Sequence, residues 1–422
     1  MTSETSARVY SAPVGYTRAK RSVQRPGRNA FTGSWWRRLR WLIGALAVCG
    51  SRPLPAEEVA VRTLPLGLFT VYAATEPFRL SWFYRDELLL ADRYRRHDSA
   101  IEVLDAGGWR TLGSLLEARE ERGEELGESR WRLRVGGAGA QEFVVLLSWL
   151  PTRAVATFSC TQVGGKAVGW RQDFVAQPEE LTYGVRDATF TQLKGLGVSN
   201  DDATSVTPMR MAVSSRGFGV IIDGRAELAD AFRPDPDTWR VQVRREIFAY
   251  TVVPGTPKAV LTARYRAIAD DVERRQGQVG ARRSEPLDAF VLPTETVATY
   301  AKLRATLPQE LGAWLGRLPA SPDGLPPAVP YGFEFPREPE SWGVRGAWVL
   351  GGDVLVLAES CPQDGVFLPG GRWLRLGKDL KAVSVVAGPT RLQLRDRRGS
   401  PDVYVREGSA AASLVPPPTR EE

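Results

Sequence analysis

From Val59 to Val253 the chain runs as apolar stretches of strand length, each closed by Gly, Pro, Asp or Asn. "PFRLSWFYRDELLLADRY", "SRWRLRVGG", "EFVVLLSWL", "RAVATFSCTQV" and "RGFGVIIDG" alternate or cluster apolar side chains in this way. Period-two patterning over such lengths marks strands, and no helical period separates one run from the next. A parallel sheet needs helical crossovers between its strands, so the expectation is a mainly β chain that stacks antiparallel sheets into a sandwich. "TWRVQVRREIFAYTVV" (Thr238–Val253) reads as a hairpin turning near Arg244 and Arg245.

The period then changes. Thr256 before Pro257 is a helix N-cap followed by proline at the first helical position. Val260, Leu261, Tyr265 and Ile268 follow along one side of the predicted helix. A polar linker, "RQGQVGARRSEP", leads to a second helix starting near Val297. Its stripe of Tyr300, Leu303, Leu307, Leu311, Trp314, Leu315 and Leu318 falls at three- and four-residue steps, and Pro308 should bend it. That stripe is expected between the two β-units, with Trp314 and Leu311 as central contacts. Left exposed, it would instead be a surface for a partner protein. Strand-like runs resume after "PASPDGLPPAVP" and suffice for a small C-terminal β-sandwich.

The expected division is a basic leader with a signal segment (1–58) and an N-terminal β-sandwich (59–268). A linker with the second helix (269–328), a C-terminal β-domain (329–408) and a disordered tail (409–422) follow. The net charge of +7 resides in the leader, where Lys and Arg from Arg8 to Arg40 face one acid, Glu4. The remainder is close to neutral, so nucleic acid is excluded as a partner. Basic residues, the short apolar run "WLIGALAVCG" and then a polar boundary form the layout of an export signal. The run is too short to span a membrane, which takes about 20 apolar residues. The expectation is a periplasmic, extracellular or lipid-anchored protein without a transmembrane span in its mature form. Leu46-Ala47-Val48-Cys49 loosely matches a lipoprotein box, although Val before Cys fits it poorly. The alternative is a cytosolic chain with a basic arm. No disulfide between Cys160 and Cys361 is predicted. With His97 the only histidine and no CxxC or HxxxH spacing, no metal and no cofactor is expected.

Several segments together resemble glycoside hydrolase family 31, the α-glucosidase and α-xylosidase group. "PEELTYGVRDATF" (Pro178–Phe190) resembles its segment of glutamate, aromatic and glycine, although the family's version is richer in glycine. "SSRGFGVIIDG" (Ser214–Gly224) and "FAYTVVPGTPKAVLTARYRAI" (Phe248–Ile268) resemble a sandwich strand and the exit toward the catalytic barrel. "YAKLRATLPQELGAWL" (Tyr300–Leu315) resembles the barrel's last helix. Tyr331–Glu359 and Gly365–Gly377 resemble the barrel's end and the opening of the closing β-domain. The resemblance implies a galactose-mutarotase-like N-terminal β-sandwich, a short helical bridge and a C-terminal β-sandwich. It also implies a deletion. Only residues 269–299 separate Ile268 from Tyr300, where a (β/α)8 barrel of about 250 residues belongs.

Retaining glycoside hydrolysis needs two carboxylates about 5–5.5 Å apart, one as nucleophile and one as acid/base. The family's nucleophile and acid/base motifs do not occur in this sequence, so no catalytic residue is assigned. Glu117–Glu128 reads as a solvated charged face, and so do Asp270 and Asp271. "GVSNDDATSVTPM" (Gly197–Met209) resembles in position the family's N-domain loop that reaches across to the barrel, where an aspartate hydrogen-bonds the sugar. Its Asn200, Asp201 and Asp202 are the candidate carbohydrate-binding residues, since carboxylates accept hydroxyl hydrogen bonds well. A plain turn joining two strands is the other reading of that loop. The functional expectation is an exported, non-catalytic protein that binds or scaffolds carbohydrate. The alternatives are an interaction module without sugar contacts and an α-glycosidase whose barrel comes from another chain.

Overall fold

The computed structural model describes residues 60–266 and 328–415, apart from short stretches of which 185–190, 193–210, 223–230, 358–365 and 393–401 are the longest. The protein is mainly β, and every strand pair among the described residues is antiparallel. A small sheet comes first, its strands side by side in chain order. They are β1 (Val61–Leu66), β2 (Phe69–Thr75), β3 (Phe78–Tyr84) and β4 (Glu87–Ala91). Alternation in "FRLSWFY" turns Phe78, Leu80 and Trp82 to the same face, and all three are fully buried. Arg85 and Asp86 join β3 to β4 with φ of 47° and 71°. A two-residue hairpin turn needs two such left-handed positions.

The next strands are β5 (Ile101–Asp105), β6 (Gly108–Arg122), β7 (Ser129–Gly137), β8 (Glu142–Leu150), β9 (Val155–Val163) and β10 (Gly169–Val175). They continue as β11 (Leu181–Tyr183), β12 (Thr191–Gln192), β13 (Met211–Ser214), β14 (Phe218–Ile222), β15 (Ala231–Asp235), β16 (Thr238–Val243) and β17 (Ile247–Pro254). All thirteen form one sheet in the order β12-β11-β13-β14-β17-β9-β8-β7-β6-β5-β10-β16-β15. The long strand β6 pairs with β5 near its start and with β7 beyond Leu112, with register shifts at Leu112, Leu115 and Glu117. Such bulges bend a strand, and here the sheet folds back on itself. Trp170 of β10 stacks on Phe248 of β17 at 6.2 Å, and Phe174 meets Tyr250 at 5.9 Å, although five strands lie between β10 and β17 in the sheet. The small sheet joins the β10 side, since Asp92 bridges Phe174. Both layers share one apolar core that includes Phe69, Trp82, Phe143, Phe158, Trp170 and Tyr250.

Thr238–Val253 is not a hairpin, contrary to the sequence expectation. β16 pairs with β10 and β15, whereas β17 pairs with β14 and β9. The chain crosses from one layer to the other at Arg244–Glu246, where the Trp170 indole N–H donates to the Glu246 carbonyl at 3.2 Å. Trp239 and Val241 point into the core from one side, and Phe248 and Tyr250 from the other. Alternation alone does not distinguish a hairpin from two strands in facing layers.

After β17 a helix, α1 (residues 257–264), begins as the sequence indicates. The Thr256 hydroxyl accepts the Ala259 N–H at 3.2 Å, and Val260 and Leu261 are fully buried. The C-terminal unit holds β18 (Ala328–Pro330), α2 (Tyr331–Glu334), α3 (Pro339–Trp342), β19 (Ala347–Leu350), β20 (Val354–Leu357), β21 (Val366–Leu376), β22 (Ala382–Leu392) and β23 (Asp402–Arg406). Its six strands pair in the order β18-β19-β20-β23-β21-β22, with an apolar cluster on each face. Ala411, Ala412 and Val415 pack on one of these faces, although the sequence reading put them in a disordered tail. They are small enough to sit directly on the sheet, and Ser409 caps their turn by accepting the Ala412 N–H at 3.2 Å.

Phe158 lies 5.4 Å from Phe248 and 4.6 Å from Tyr250, at the centre of the first core. Phe158→Ala is expected to cost about 3–5 kcal/mol, the range for emptying an aromatic site that cannot collapse. Equilibrium denaturation in guanidinium checks this, as a lower midpoint with an unchanged slope.

Candidate functional site

Asn200, Asp201 and Asp202 lie outside the described residues, within 193–210. The structure does define both anchors of their loop. β12 ends at Gln192, opposite Leu181, and β13 starts at Met211, two residues before the Val213 that pairs with Tyr183. The loop therefore leaves the sheet beside Glu180 and returns beside Gly184. Gly184 has φ of +84°, and a Cβ there would stand 2.1 Å from the Met211 carbonyl oxygen. The glycine after Tyr183 is thus required for β13 to approach.

At the other anchor Glu180 is buried. One carboxylate oxygen accepts the Ser214 hydroxyl at 2.5 Å, and the other accepts the Gln177 N–H at 2.8 Å. Burial pushes this carboxyl above its ordinary value, and the Ser214 hydroxyl, the Gln177 amide and the Arg216 charge pull it back. The turn after β13 completes the bracket. Ser215 exchanges two bonds with Leu181, its hydroxyl accepting the Leu181 N–H at 3.0 Å and its own N–H donating to the Leu181 carbonyl at 2.9 Å. The Arg216 guanidinium donates to the carbonyls of Leu88 and Leu89, which ties the loop's base to β4.

The far side of this edge faces the C-terminal unit. Tyr183, Met211, Val213, Ile221 and Val253 point away from the first core into a second one. There they meet Val260 and Leu261 of α1 and Phe333 of α2, and the Phe333 ring is 4.7 Å from that of Tyr183. Lys258 of α1 and Glu334 of α2 form an ion pair at 3.1 Å. The segments on either side of residues 267–327 are therefore docked on each other and on one sheet face. The sequence reading missed this contact. The signal was available in "FGVII" of β14, which is buried at all five positions. An unbroken apolar strand is covered on both faces.

Other sequence candidates resolve as follows. Within the charged stretch Glu117 of β6 pairs with Arg134 of β7 at 3.1 Å, and Glu128 pairs with Arg130 at 2.9 Å. Asp353 sits in the β19–β20 turn, near Arg406. Asp270, Asp271, the Tyr300–Leu318 stripe with Trp314 and Leu311, and Cys361 lie outside the described residues. Cys160 is a free, buried thiol. Trp82, Trp131, Trp149, Trp170, Trp239 and Trp373 are buried, and Trp109, Trp342 and Trp348 are partly buried. Trp109 is further covered by the Arg171 guanidinium, 4.4 Å from its ring centre.

Among the described residues, the buried acids Asp92, Glu102, Asp173 and Glu180 each bind a neighbouring strand or turn. Glu102 is held by Arg171, and Asp173 by both ends of Arg240 at 2.6 and 3.0 Å. No group of His, Cys, Asp and Glu among these residues could hold a metal ion. No helix among them is long and apolar enough to cross a membrane.

No family model matches the chain, and no curated protein matches it either. Among solved structures it is similar to family 31 glycoside hydrolases. One is a dextranase from Flavobacterium johnsoniae, at 10% identity over 84% of this chain and 80% of that one, with a TM-score of 0.37. An α-xylosidase from a soil metagenome has 10% identity over 85% and 99%, with a TM-score of 0.35. A sulfoquinovosidase from E. rectale has 13% identity over 44% of this chain, with a TM-score of 0.30. The chain spans 32% of that enzyme's length, and 39% of an α-N-acetylgalactosaminidase from Bifidobacterium bifidum. Scores this low carry no information on activity or ligand.

Ser214→Ala is expected to lower stability by about 1–3 kcal/mol, because it leaves the buried Glu180 carboxylate one donor short. In a Glu180→Gln background the same substitution should cost less, and a double-mutant cycle from denaturation midpoints measures the difference.

Proposed function

We propose that this chain is an exported, non-catalytic protein of glycoside hydrolase family 31 type that binds or scaffolds carbohydrate. The observation that carries the non-catalytic part is the closure between α1 and α2. In the resemblance drawn from the sequence, α1 is the exit toward a catalytic barrel and α2 belongs to the barrel's end. The Lys258–Glu334 pair and the Tyr183–Phe333 contact bring those two points together. The intervening residues 267–327 are far too few for a barrel of about 250 residues. The described acids add support, since each buried carboxylate is engaged in bracing the sandwich and retaining hydrolysis needs a free facing pair.

Sugar contacts in this reading come from Asn200, Asp201 and Asp202, on the loop held between the Glu180 bracket and Gly184. Two carboxylates and an amide supply acceptors for adjacent hydroxyls, and the amide adds a donor. An interaction module without sugar contacts is the second reading. The burial of six of the nine described tryptophans favours it, because a ring must be open to solvent to stack on a sugar.

Incubation of the purified chain with aryl α-glucosides and α-xylosides is expected to release no more phenol than buffer alone, and turnover abolished by a carboxylate substitution would overturn the non-catalytic reading. Calorimetric titration with α-linked gluco- and xylo-oligosaccharides separates the two remaining readings. Binding that weakens at least tenfold in an Asn200→Ala/Asp201→Ala/Asp202→Ala variant of unchanged Tm supports the carbohydrate role. An absence of heat with every oligosaccharide favours the interaction module.

A further inference from the structure

Asp92 stands at the seam where the small sheet meets the folded-over arm of the large one. Its backbone N–H donates to the Leu80 carbonyl at 2.9 Å, and the next N–H, of Arg93, donates to the Asp173 carbonyl at 2.8 Å. The side chain turns inward. One carboxyl oxygen accepts the Leu80 N–H at 2.8 Å and the other accepts the Gln172 amide at 2.6 Å. The carboxyl thus links β3 and β4 directly to β10. Gln172 and Tyr250 are fully buried, and the Tyr250 hydroxyl lies against the Gln172 amide and the Trp82 indole.

What surrounds this group decides its charge. From β3 comes Arg79, which forms no ion pair with Asp92 and lays its guanidinium over the Tyr94 ring at 4.4 Å. From β10 comes the like charge of Asp173, itself taken by Arg240 of β16. Tyr250 of β17 and the Cys160 thiol of β9 complete the enclosure. An ionised carboxylate here has two N–H donors and, as its only nearby cation among the described residues, the Arg79 guanidinium, which acts on it at a distance without a direct ion pair. A neutral carboxyl carries no charge to solvate and keeps both acceptor bonds.

We propose that Asp92 is an acid-tightened clasp, which when protonated holds the small sheet on β10 and when ionised lets that seam open more often. Burial, the largest effect, pushes its pKa from 3.8 to about 7, with the Asp173 charge adding to the rise and the Leu80 and Gln172 hydrogen bonds and the Arg79 charge pulling against it. Once the seam opens, water reaches the carboxyl and the ordinary value returns. Opening therefore releases a proton between about pH 4 and pH 7, so the added stability is complete below pH 4 and gone above pH 7. Of the other displaced carboxyls among the described residues, Asp105 and Glu142 are lowered and act in the opposite direction. Glu180 shares the sign of Asp92 but sits at another edge.

Hydrogen exchange followed by mass spectrometry on the full chain from pH 4.5 to 8.5 tests the clasp. After correction for intrinsic rates, opening at peptides covering 78–92 should rise about tenfold per pH unit up to pH 7 and then level off. Asp92→Asn should flatten that rise, and Glu180→Gln should leave it in place. A wild-type profile without the rise, a rise retained in Asp92→Asn, or its loss in Glu180→Gln would each overturn the proposal. Should Asp92→Asn not fold, the shape of the wild-type profile alone decides.

Discussion

Strands β13, β14 and β17 carry apolar side chains on both faces, and neither face can be left to water. Phe218, Val220 and Ile222 face the first core with Phe248 and Tyr250, while Val213, Ile221 and Val253 face outward. Burying a large aliphatic side chain is worth roughly 1.5–3 kcal/mol, so an uncovered outer face would forfeit several such contributions. The rest of the architecture follows from covering it. The inner face takes the small sheet and the folded-over arm. The outer face takes α1 and α2, which is why the chain's two β-units must touch.

The polar residues of the core answer a different need. Buried carboxylates occur where one strand must be fixed to a neighbour that sheet hydrogen bonds alone do not position. Asp173 with Arg240 and Glu102 with Arg171 cross adjacent strands of the folded-over arm. Glu180 with Ser214 fixes the edge from which the candidate loop departs, and Arg216 extends that hold to the small sheet. Since breaking one partner of such a bracket leaves a buried polar group unmatched, these sites specify one arrangement more than they add stability.

Strand content was plain in the sequence because the period of two is a direct consequence of backbone geometry. The start of α1 was legible for a similar local reason, since Thr256 and Pro257 satisfy requirements of the first turn itself. The crossing at Arg244–Glu246 was not, because Trp239–Val243 and Phe248–Val252 alternate identically whether they pair or face each other. The tail residues Ala411–Val415 were misjudged on composition, since small apolar residues bury well wherever a flat sheet face is available. At the candidate site the sequence pointed to Asn200, Asp201 and Asp202, which lie outside the described residues, and gave no sign of the support at the loop's anchors. Glu180, Ser214 and Arg216 are far apart in the chain from Leu88 and Leu89, and nothing local announces that they meet.

The junction between α1 and α2 brings together the two ends of the segment 267–327, through the Lys258–Glu334 pair and the packing of both helices on one sheet face. Zero-length carbodiimide coupling joins an amine to a carboxylate only when the two are in contact, and peptide mass spectrometry identifies the pair. Coupling of Lys258 to Glu334, at 3.1 Å, is the predicted result, with Lys166 to Glu246, also at 3.1 Å, as an internal standard. Recovery of the Lys166–Glu246 product without the Lys258–Glu334 product would contradict the closure and the non-catalytic reading built on it.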